Sequence, residues 1–206
     1  GVGSVAAHKC APLPQIFHEL HLASRTLSKC HIVATSIRQR TGQEISTHRV
    51  DADNLDEAIA LLRNLSPDLL LNLALPYQNL TLMEACLATG TNYLDTANYE
   101  SPEIAGFEYK WQWQYHERFQ EKNLCALLGS GFDPGVTNVF TSFGSKHYFD
   151  EISELDIVDV NGGENNESFA TNFNPEINIR EVSAACRHWE GDQFVESPAF
   201  STHRSF

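Results

Sequence analysis

The sequence predicts an α/β protein whose main part is a Rossmann-like, doubly wound parallel sheet. Strand-like and helix-like segments alternate from the start of the chain to about residue 140, which is typical of parallel strands connected by helices. Residues 68–76 (DLLLNLALP) are almost continuously apolar, as strands covered on both faces are. The chain opens with Gly1-Val2-Gly3 ahead of a helix-like stretch, and glycines in that position are common in loops that bind phosphate.

The first predicted elements are short. Residues 4–11 are expected to form an amphipathic helix, which the two prolines just beyond it end. Residues 19–23 alternate polar and apolar side chains, as a strand with one covered face does. Residues 31–37 (HIVATSI) are apolar and β-branched, a composition that favours strands, and residues 45–53 lead into another short strand.

The following elements continue the alternation. Asn54 or Asp56 can cap a helix over residues 55–65, whose apolar side chains recur at spacings of three and four. Pro67 marks the turn into the apolar strand. Beyond it the sequence predicts a helix over residues 79–90, a short strand over 92–98, one long polar-aromatic helix over 108–123, and a buried strand with its loop over 124–135.

The pattern changes after residue 144, which predicts two domains. Residues 152–163 alternate like a strand at the edge of a sheet, and residues 187–197 resemble a hairpin around Gly191. We therefore expect a Rossmann-like domain in residues 1–144 and part of an α+β domain with a mixed or antiparallel sheet in residues 145–206. We also expect the first domain to lack its first strand and leading glycines, and the second to be incomplete.

Composition excludes several classes of function. The formal charge of −13, from 27 acidic and 14 basic residues, would repel nucleic acid. No apolar run reaches the roughly 18–20 residues that a membrane span needs, and no signal peptide is recognisable. The five cysteines are widely spaced and form no CxxC pair, so neither a metal site nor a disulfide framework is expected. The cytoplasm is the expected compartment.

A cofactor site is predicted from the glycine loop and from the end of the next strand. Gly1, Val2 and Gly3 stand where helix N–H groups attract a pyrophosphate, although a flexible terminus is an alternative. About 20 residues further on, a Rossmann protein reads the adenosine ribose. The residues there are Ser24, Arg25 and Thr26, without an acid. Arginine offers a bidentate donor to a 2′-phosphate, which favours NADP(H) over NAD, the alternative being a solvated arginine.

Further candidates lie at the carboxyl ends of the predicted strands, where open α/β sheets bind ligands. Asp51 is a candidate for the adenine amino group, with helix capping as the alternative. The remaining cofactor candidates come from an apolar turn and from a glycine-dense loop, which is equally readable as a structural turn: Ala74, Leu75, Pro76, Gly131, Phe132 and Pro134.

Five segments carry a resemblance to a known family: GVGSVAAHKCA, LASRT, LLLNLALPYQNLTLMEACLATGTNYLDTANYE, ALLGSGFDPGVTNVF and ATNFNPEINIREV. Together they resemble the saccharopine dehydrogenase-like superfamily, and within it the carboxynorspermidine synthase (carboxyspermidine dehydrogenase) family. The resemblance covers nearly the whole chain, and the last two segments are the specific ones. It implies a Rossmann domain followed by an α+β domain for substrate binding and dimerisation, hence a homodimer.

The resemblance also implies a reaction in polyamine biosynthesis. Such enzymes use NADPH to reduce the imine formed between L-aspartate β-semialdehyde and a diamine, putrescine or 1,3-diaminopropane, giving carboxyspermidine or carboxynorspermidine. Two alternatives stay open. One is a saccharopine reductase, whose glutamate substrate calls for a second cation beside Arg180; the other is an inactive, truncated nucleotide-binding fragment.

Candidate catalytic and substrate-binding residues follow from that chemistry. Acidic side chains at strand ends would attract a cationic amine, which favours Asp95, Asp133 and also Glu100; Tyr99 is a candidate general acid. Arg180 is the candidate cation for the α-carboxylate of the semialdehyde, with Asn172 and Asn174 as neutral donors. The alternative for Arg180 is an ion pair with Glu176 on one helix face.

Overall fold

Parallel strands linked by helices form the first part of the structure, a computed structural model that describes residues 1–103, 106, 109–158, 166 and 174–201. The helices are α1 (Val2–Cys10), α2 (Leu27–Thr41), α3 (Leu55–Leu65), α4 (Asn79–Thr89), α5 (Lys110–Trp113), α6 (His116–Glu121), α7 (Val136–His147) and α8 (Pro175–Ser183), and a 3₁₀ turn, Pro76–Gln78, precedes α4. The strands are β1 (His21–Ser24), β2 (Ser46–Arg49), β3 (Leu69–Asn72), β4 (Asn92–Asp95), β5 (Ala126–Leu127), β6 (Cys186–Glu190) and β7 (Gln193–Ser197).

The parallel strands form two groups. β1 pairs with β2, while β3, β4 and β5 pair in that order, so that Leu71, Leu94 and Leu127 lie side by side. Within the described residues, β1 and β3 each pair on one side and not with each other. β6 and β7 form an antiparallel hairpin whose Gly191 and Asp192 have positive φ, as a two-residue hairpin loop requires. The α/β class with a further antiparallel sheet is confirmed.

A small core holds α1 and α2 against β1. Ala7 and Ile37 are buried there and contact Leu22 and Val33. Residues 31–37, whose composition favours a strand, belong instead to α2. The reason is spacing: Val33 and Ile37 are four residues apart, which places both on one helix face and turns that face towards the strand.

The main core lies on one face of β3–β5. Side chains from α3, α4, β4 and α6 fill it: Ala58, Leu62, Leu82, Met83, Ala85, Cys86, Leu87, Tyr93 and Phe119. Leu70 packs against this core, whereas Leu69 and Leu71 are 45% and 41% exposed. The expectation that this strand is covered on both faces is therefore wrong in the described structure, because α3 and α4 pack on a single face.

Other predicted elements are partly corrected. Asn54 caps α3 by accepting a hydrogen bond from the Glu57 N–H, and Gly90 ends α4 in the left-handed conformation. The long polar-aromatic helix is two short helices, α5 and α6. Residues 152–158 form no strand, and the remainder of that predicted strand, 159–163, lies outside the described residues. The domain boundary at 144 falls within α7 and stays a prediction.

A buried polar network joins the strand ends of the main sheet, and Asp95 is its centre. Asp95 is 1% exposed, and its Oδ2 accepts hydrogen bonds from the Tyr93 hydroxyl (3.0 Å), the Gln112 amide (2.5 Å) and the Asn79 amide (3.3 Å). Its Oδ1 accepts one from the backbone N–H of Gly129 (2.7 Å). Burial raises the pKa of this carboxyl, and the hydrogen bonds act in the opposite direction.

The same network continues into the neighbouring turns. The Asn72 amide donates to Asn79 Oδ1 (2.8 Å) and to the Tyr93 hydroxyl (3.0 Å). Asn79 donates to the Ala97 carbonyl (2.8 Å), and Gln112 accepts from the Tyr99 N–H (2.8 Å). Each of these buried side chains therefore has a hydrogen-bond partner, and β3, β4, β5, α4 and α5 are fixed relative to one another.

We expect Asp95→Asn to lower the free energy of unfolding of the full-length protein by about 1–3 kcal/mol, because the new amide group faces hydrogen-bond donors on either side of the position. Urea-induced unfolding followed by circular dichroism measures it. Asp68→Asn, at an exposed side chain just before β3, is the control and should unfold at the wild-type urea concentration. Equal midpoints for the two variants would contradict the role of the network.

Candidate functional site

The glycine loop leads into the start of α1, which lies beside the end of β3. A methyl group added to Gly3 would be 4.0 Å from the Cβ of Leu73, the residue that follows β3. Gly1 is the N-cap residue, and no side chain caps this end of the helix. Uncapped N–H groups at a helix start attract phosphate. Gly1, Val2 and Gly3 thus lie near the carboxyl end of β3, and their role in cofactor binding stays a prediction.

Residues that follow β1, β2 and β3 meet at Asp53. Its carboxylate lies 3.7 Å from the guanidinium of Arg25 and accepts a 2.8 Å hydrogen bond from the amide of Gln78. The side chains of Arg25 and Asp53 are 62% and 53% exposed, so their ion pair contributes little and leaves Arg25 accessible to an anion. The Ser24 hydroxyl accepts a 3.3 Å hydrogen bond from the Thr26 N–H and shapes the turn that presents Arg25.

Asp51 and the Ala74–Pro76 segment are held by short-range hydrogen bonds. The Asp51 carboxylate accepts from the Asp53 N–H (3.2 Å), while Asn54 caps the helix that follows. The Ala74 N–H donates to Asn72 Oδ1 (3.0 Å), and the next two residues begin the 3₁₀ turn. This segment therefore presents apolar surface at the end of β3, and its role in cofactor binding stays a prediction.

The glycine-dense loop after β5 is packed tightly against the end of β4. A methyl group on Gly131 would lie 2.7 Å from the Thr96 carbonyl oxygen, which no side chain tolerates. Gly135 has a φ of +137°, and a methyl group there would collide with the Gly131 backbone. Phe132, between them, is 64% exposed. The loop thus requires glycine for its shape, and it brings Phe132 and Pro134 to the strand ends.

The predicted catalytic residues lie in three different environments. Asp95 is buried with both carboxylate oxygens occupied, so it positions the strand ends and does not face a cleft. Tyr99 is half-buried, with its N–H held by Gln112. Asp133 is exposed and accepts a 3.1 Å hydrogen bond from the Thr137 hydroxyl. The sequence could not separate these environments because all three residues lie at or just after the end of a strand.

Helix α8 contacts, through Arg180, the segments that follow β3 and β4. Its guanidinium donates to Glu100 Oε1 (2.7 Å), to the Ser101 carbonyl (2.7 Å) and to the Pro102 carbonyl (3.1 Å). The ion pair of Arg180 is therefore with Glu100 and not with Glu176, the partner in the alternative interpretation. The role of Arg180 in substrate binding stays a prediction. Asn174 caps α8 by accepting from the Glu176 N–H (2.8 Å), and Asn172 lies outside the described residues.

An open groove of about 1320 Å³ runs along β5, between α5–α6 on one side and α7 on the other. Tyr109, Gly129 and Gly131 are among its lining residues. The Tyr109 hydroxyl is buried against Gly129 and has no hydrogen-bond partner in the described structure. Burial and the charges of Asp95 and Asp133 raise its pKa to about 12, so the phenol stays protonated at neutral pH.

The sequence did not identify three residues of this region as candidates: Tyr77, Tyr109 and Gln112. Tyr77 stands under the guanidinium of Arg180, 5.6 Å from its ring centroid, and donates a 3.0 Å hydrogen bond to Glu176. A signal existed only for Tyr77, which directly follows the predicted apolar turn. Nothing in the spacing of the polar-aromatic segment distinguishes Tyr109 or Gln112 from its exposed neighbours.

The described residues contain neither a cluster of metal ligands nor a membrane-spanning helix. No group of three or more His, Cys, Asp and Glu side chains there is arranged to hold a metal ion. Among the helices of the described part, none combines the length and the apolar character that crossing a bilayer needs.

Comparison with known proteins identifies the family and the fold. Residues 1–127 match the family model described as the saccharopine dehydrogenase NADP binding domain. An apo saccharopine dehydrogenase (L-Glu forming) from Saccharomyces cerevisiae has a similar fold, with a TM-score of 0.54 at 14% identity over 71% of this chain and 29% of that chain. The Rossmann-like fold is confirmed.

The sequence relatives are enzymes with longer chains. A carboxyaminopropylagmatine dehydrogenase from Synechocystis sp. is 52% identical over 204 residues, which are 99% of this chain and 50% of the relative. Carboxynorspermidine synthases from Vibrio alginolyticus and Vibrio cholerae are 37% and 32% identical over 100% of this chain and 52% of each relative. The chain thus spans about half the length of the curated relatives that it matches.

If Arg25 receives a 2′-phosphate, Arg25→Ala in the full-length protein should raise the dissociation constant for NADPH by about 10- to 100-fold, as expected when a charge-assisted hydrogen bond is lost. Binding of NADH, which lacks that phosphate, should change less than about threefold. Quenching of protein fluorescence measures both constants. Arg63→Ala, at an exposed residue of α3, is the control. Equal losses for both cofactors would contradict the assignment.

Proposed function

Because this chain belongs to the saccharopine dehydrogenase NADP-binding family, we propose that it is the cofactor-binding part of an NADPH-dependent oxidoreductase of polyamine biosynthesis. The reaction is reduction of the imine formed between L-aspartate β-semialdehyde and a primary amine. The observation that carries the proposal is the 52% identity, over almost the whole chain, to a carboxyaminopropylagmatine dehydrogenase. A carboxyaminopropyl group on an amine nitrogen is what reductive condensation with aspartate β-semialdehyde leaves.

Agmatine is the amine that this relationship favours. Putrescine and 1,3-diaminopropane form the second candidate, supported by the carboxynorspermidine synthases at 37% and 32% identity. Glutamate, the amine of the saccharopine branch, has less support. The guanidinium of Arg180 is already bonded to Glu100 and two carbonyl groups, so it is not an open binding group for a substrate carboxylate.

NADP(H) supplies the hydride when bound. The start of α1 would hold the pyrophosphate and Arg25 the 2′-phosphate, while the Ala74–Pro76 segment and the loop around Gly131 and Phe132 would hold the nicotinamide half. The chain must also keep water from the imine carbon and manage one proton. Tyr99 and Asp133 remain the candidates for donating the proton. Unlike Asp95, neither side chain is fully buried with all its acceptors hydrogen-bonded.

The cytoplasm and a homodimer are part of the same proposal. α7 supports an interface, because Val139, Phe140 and Phe143 recur at helical spacing and are 64%, 68% and 52% exposed. An apolar stripe of that kind is typical of helix faces that another surface covers.

The test is oxidation of NADPH by the full-length protein with aspartate β-semialdehyde and one amine at a time. We expect the highest kcat/KM with agmatine, lower values with putrescine and 1,3-diaminopropane, and none with glutamate. The absorbance of the reduced nicotinamide follows the reaction, and omission of the semialdehyde is the control. Turnover with glutamate alone would place the protein in the saccharopine branch and overturn the proposal.

A further inference from the structure

The surroundings of the Arg180 guanidinium are those of a guanidinium-binding site. A carboxylate oxygen of Glu100, the carbonyl oxygens of Ser101 and Pro102 and the ring face of Tyr77 all contact it. Carboxylate, carbonyl and aromatic groups are what a delocalised planar cation prefers. The same groups also suit an ammonium ion.

Glu100 is only partly satisfied by this arrangement. It is 1% exposed, and its Oε1 takes the hydrogen bond from Arg180 Nε. Its Oε2 is buried and has no hydrogen-bond partner in the described structure. A buried carboxylate oxygen that accepts no hydrogen bond destabilises the folded protein. Oε2 can therefore still accept a hydrogen bond from a second donor.

The charges around Glu100 exceed what Arg180 can balance. Glu176 lies close by, bonded to Tyr77 at 3.0 Å, and Glu181 follows Arg180 on α8. Partial desolvation and the negative charges of Glu100 and Asp133 raise the pKa of Glu181. Glu100 and Glu176 thus both act on the Arg180 guanidinium, and Glu181 lies within electrostatic reach of Glu100. Negative charge therefore exceeds positive charge in the described part of this region, an imbalance that a substrate cation would reduce.

We propose that Glu100 binds the far cationic group of the amine substrate, the guanidinium of agmatine or the second ammonium of a diamine, through its free oxygen. Arg180 then acts as a positioning residue that fixes the carboxylate through the other oxygen. This inference rests on the proposed function for the identity of the amine. Since Oε2 is closed to solvent in the described structure, a cation reaches it only when the groups around Glu100 move.

The experiment compares amines that differ only in the far cation. Putrescine and 1-butylamine share a four-carbon chain and one reacting amine, and only putrescine has a second ammonium. In the full-length protein we expect kcat/KM to favour agmatine and putrescine over 1-butylamine by about 10- to 100-fold, the value of one charge-assisted hydrogen bond. Glu100→Gln keeps the shape and still accepts from Arg180, and it should reduce this ratio to about threefold or less, mainly through KM.

Two further variants separate recognition from folding. Glu117→Gln removes an equal charge from the exposed side of α6 and should keep the wild-type ratio. Arg180→Ala should raise KM for putrescine, and Arg180→Lys should restore part of the loss, because lysine can still donate to Glu100. An unchanged putrescine to 1-butylamine ratio in Glu100→Gln would overturn the inference, since a purely structural role leaves that ratio alone.

Calorimetric titration with agmatine distinguishes failure of this inference from failure of the proposed function. Agmatine that binds the NADP⁺-loaded wild type and binds Glu100→Gln at least tenfold more weakly supports the site, even if no amine drives NADPH oxidation; in that case only the proposed reaction fails. Equal binding by both proteins, or no binding of either agmatine or putrescine by the wild type, overturns the site.

Discussion

The buried carboxylate of Asp95 is the interaction on which the ligand-binding edge depends. Parallel strands fix their own spacing through backbone hydrogen bonds, but the loops that leave them have no such ladder. Asp95 replaces it by accepting donors from β4, α4, α5 and the turn after β5. A single acceptor thus sets the relative position of loops that are distant in sequence, and each donor that reaches it is removed from the set available to a ligand.

This arrangement divides the acidic residues at the strand ends by function. Asp95 is enclosed and holds the framework, Asp53 lies in the open beside Arg25, and Glu100 lies under α8 with one oxygen bonded. Their chemistry differs because their donors differ, although all three carry the same group. The two proposed halves of the site, for the cofactor phosphate and for the amine, are connected by consecutive residues: Gln78 donates to Asp53, and the ring of Tyr77 contacts Arg180.

Much of the fold was predictable from local signals. Asn54, Gly90 and the Gly191-Asp192 turn act through neighbouring backbone, so the sequence alone identifies them. α2 was not predictable from composition, because the β-branched residues of 31–37 favour a strand. The contacts of Val33 and Ile37 with β1 stabilise the helix instead. The site was less predictable still. Glu100 and Arg180 are 80 residues apart, and the partner of Gln112 lies on another element, so no spacing rule brings them together.

One face of the β3–β5 sheet exposes leucine side chains to solvent: Leu69, Leu71 and Leu127. They are 45%, 41% and 51% exposed and, with Leu94 between them, form a stripe across three strands. An exposed row of leucine side chains next to an unpaired strand edge favours association with other apolar surfaces. We therefore expect this face to favour self-association, and solubility measurements will report whether another surface covers it.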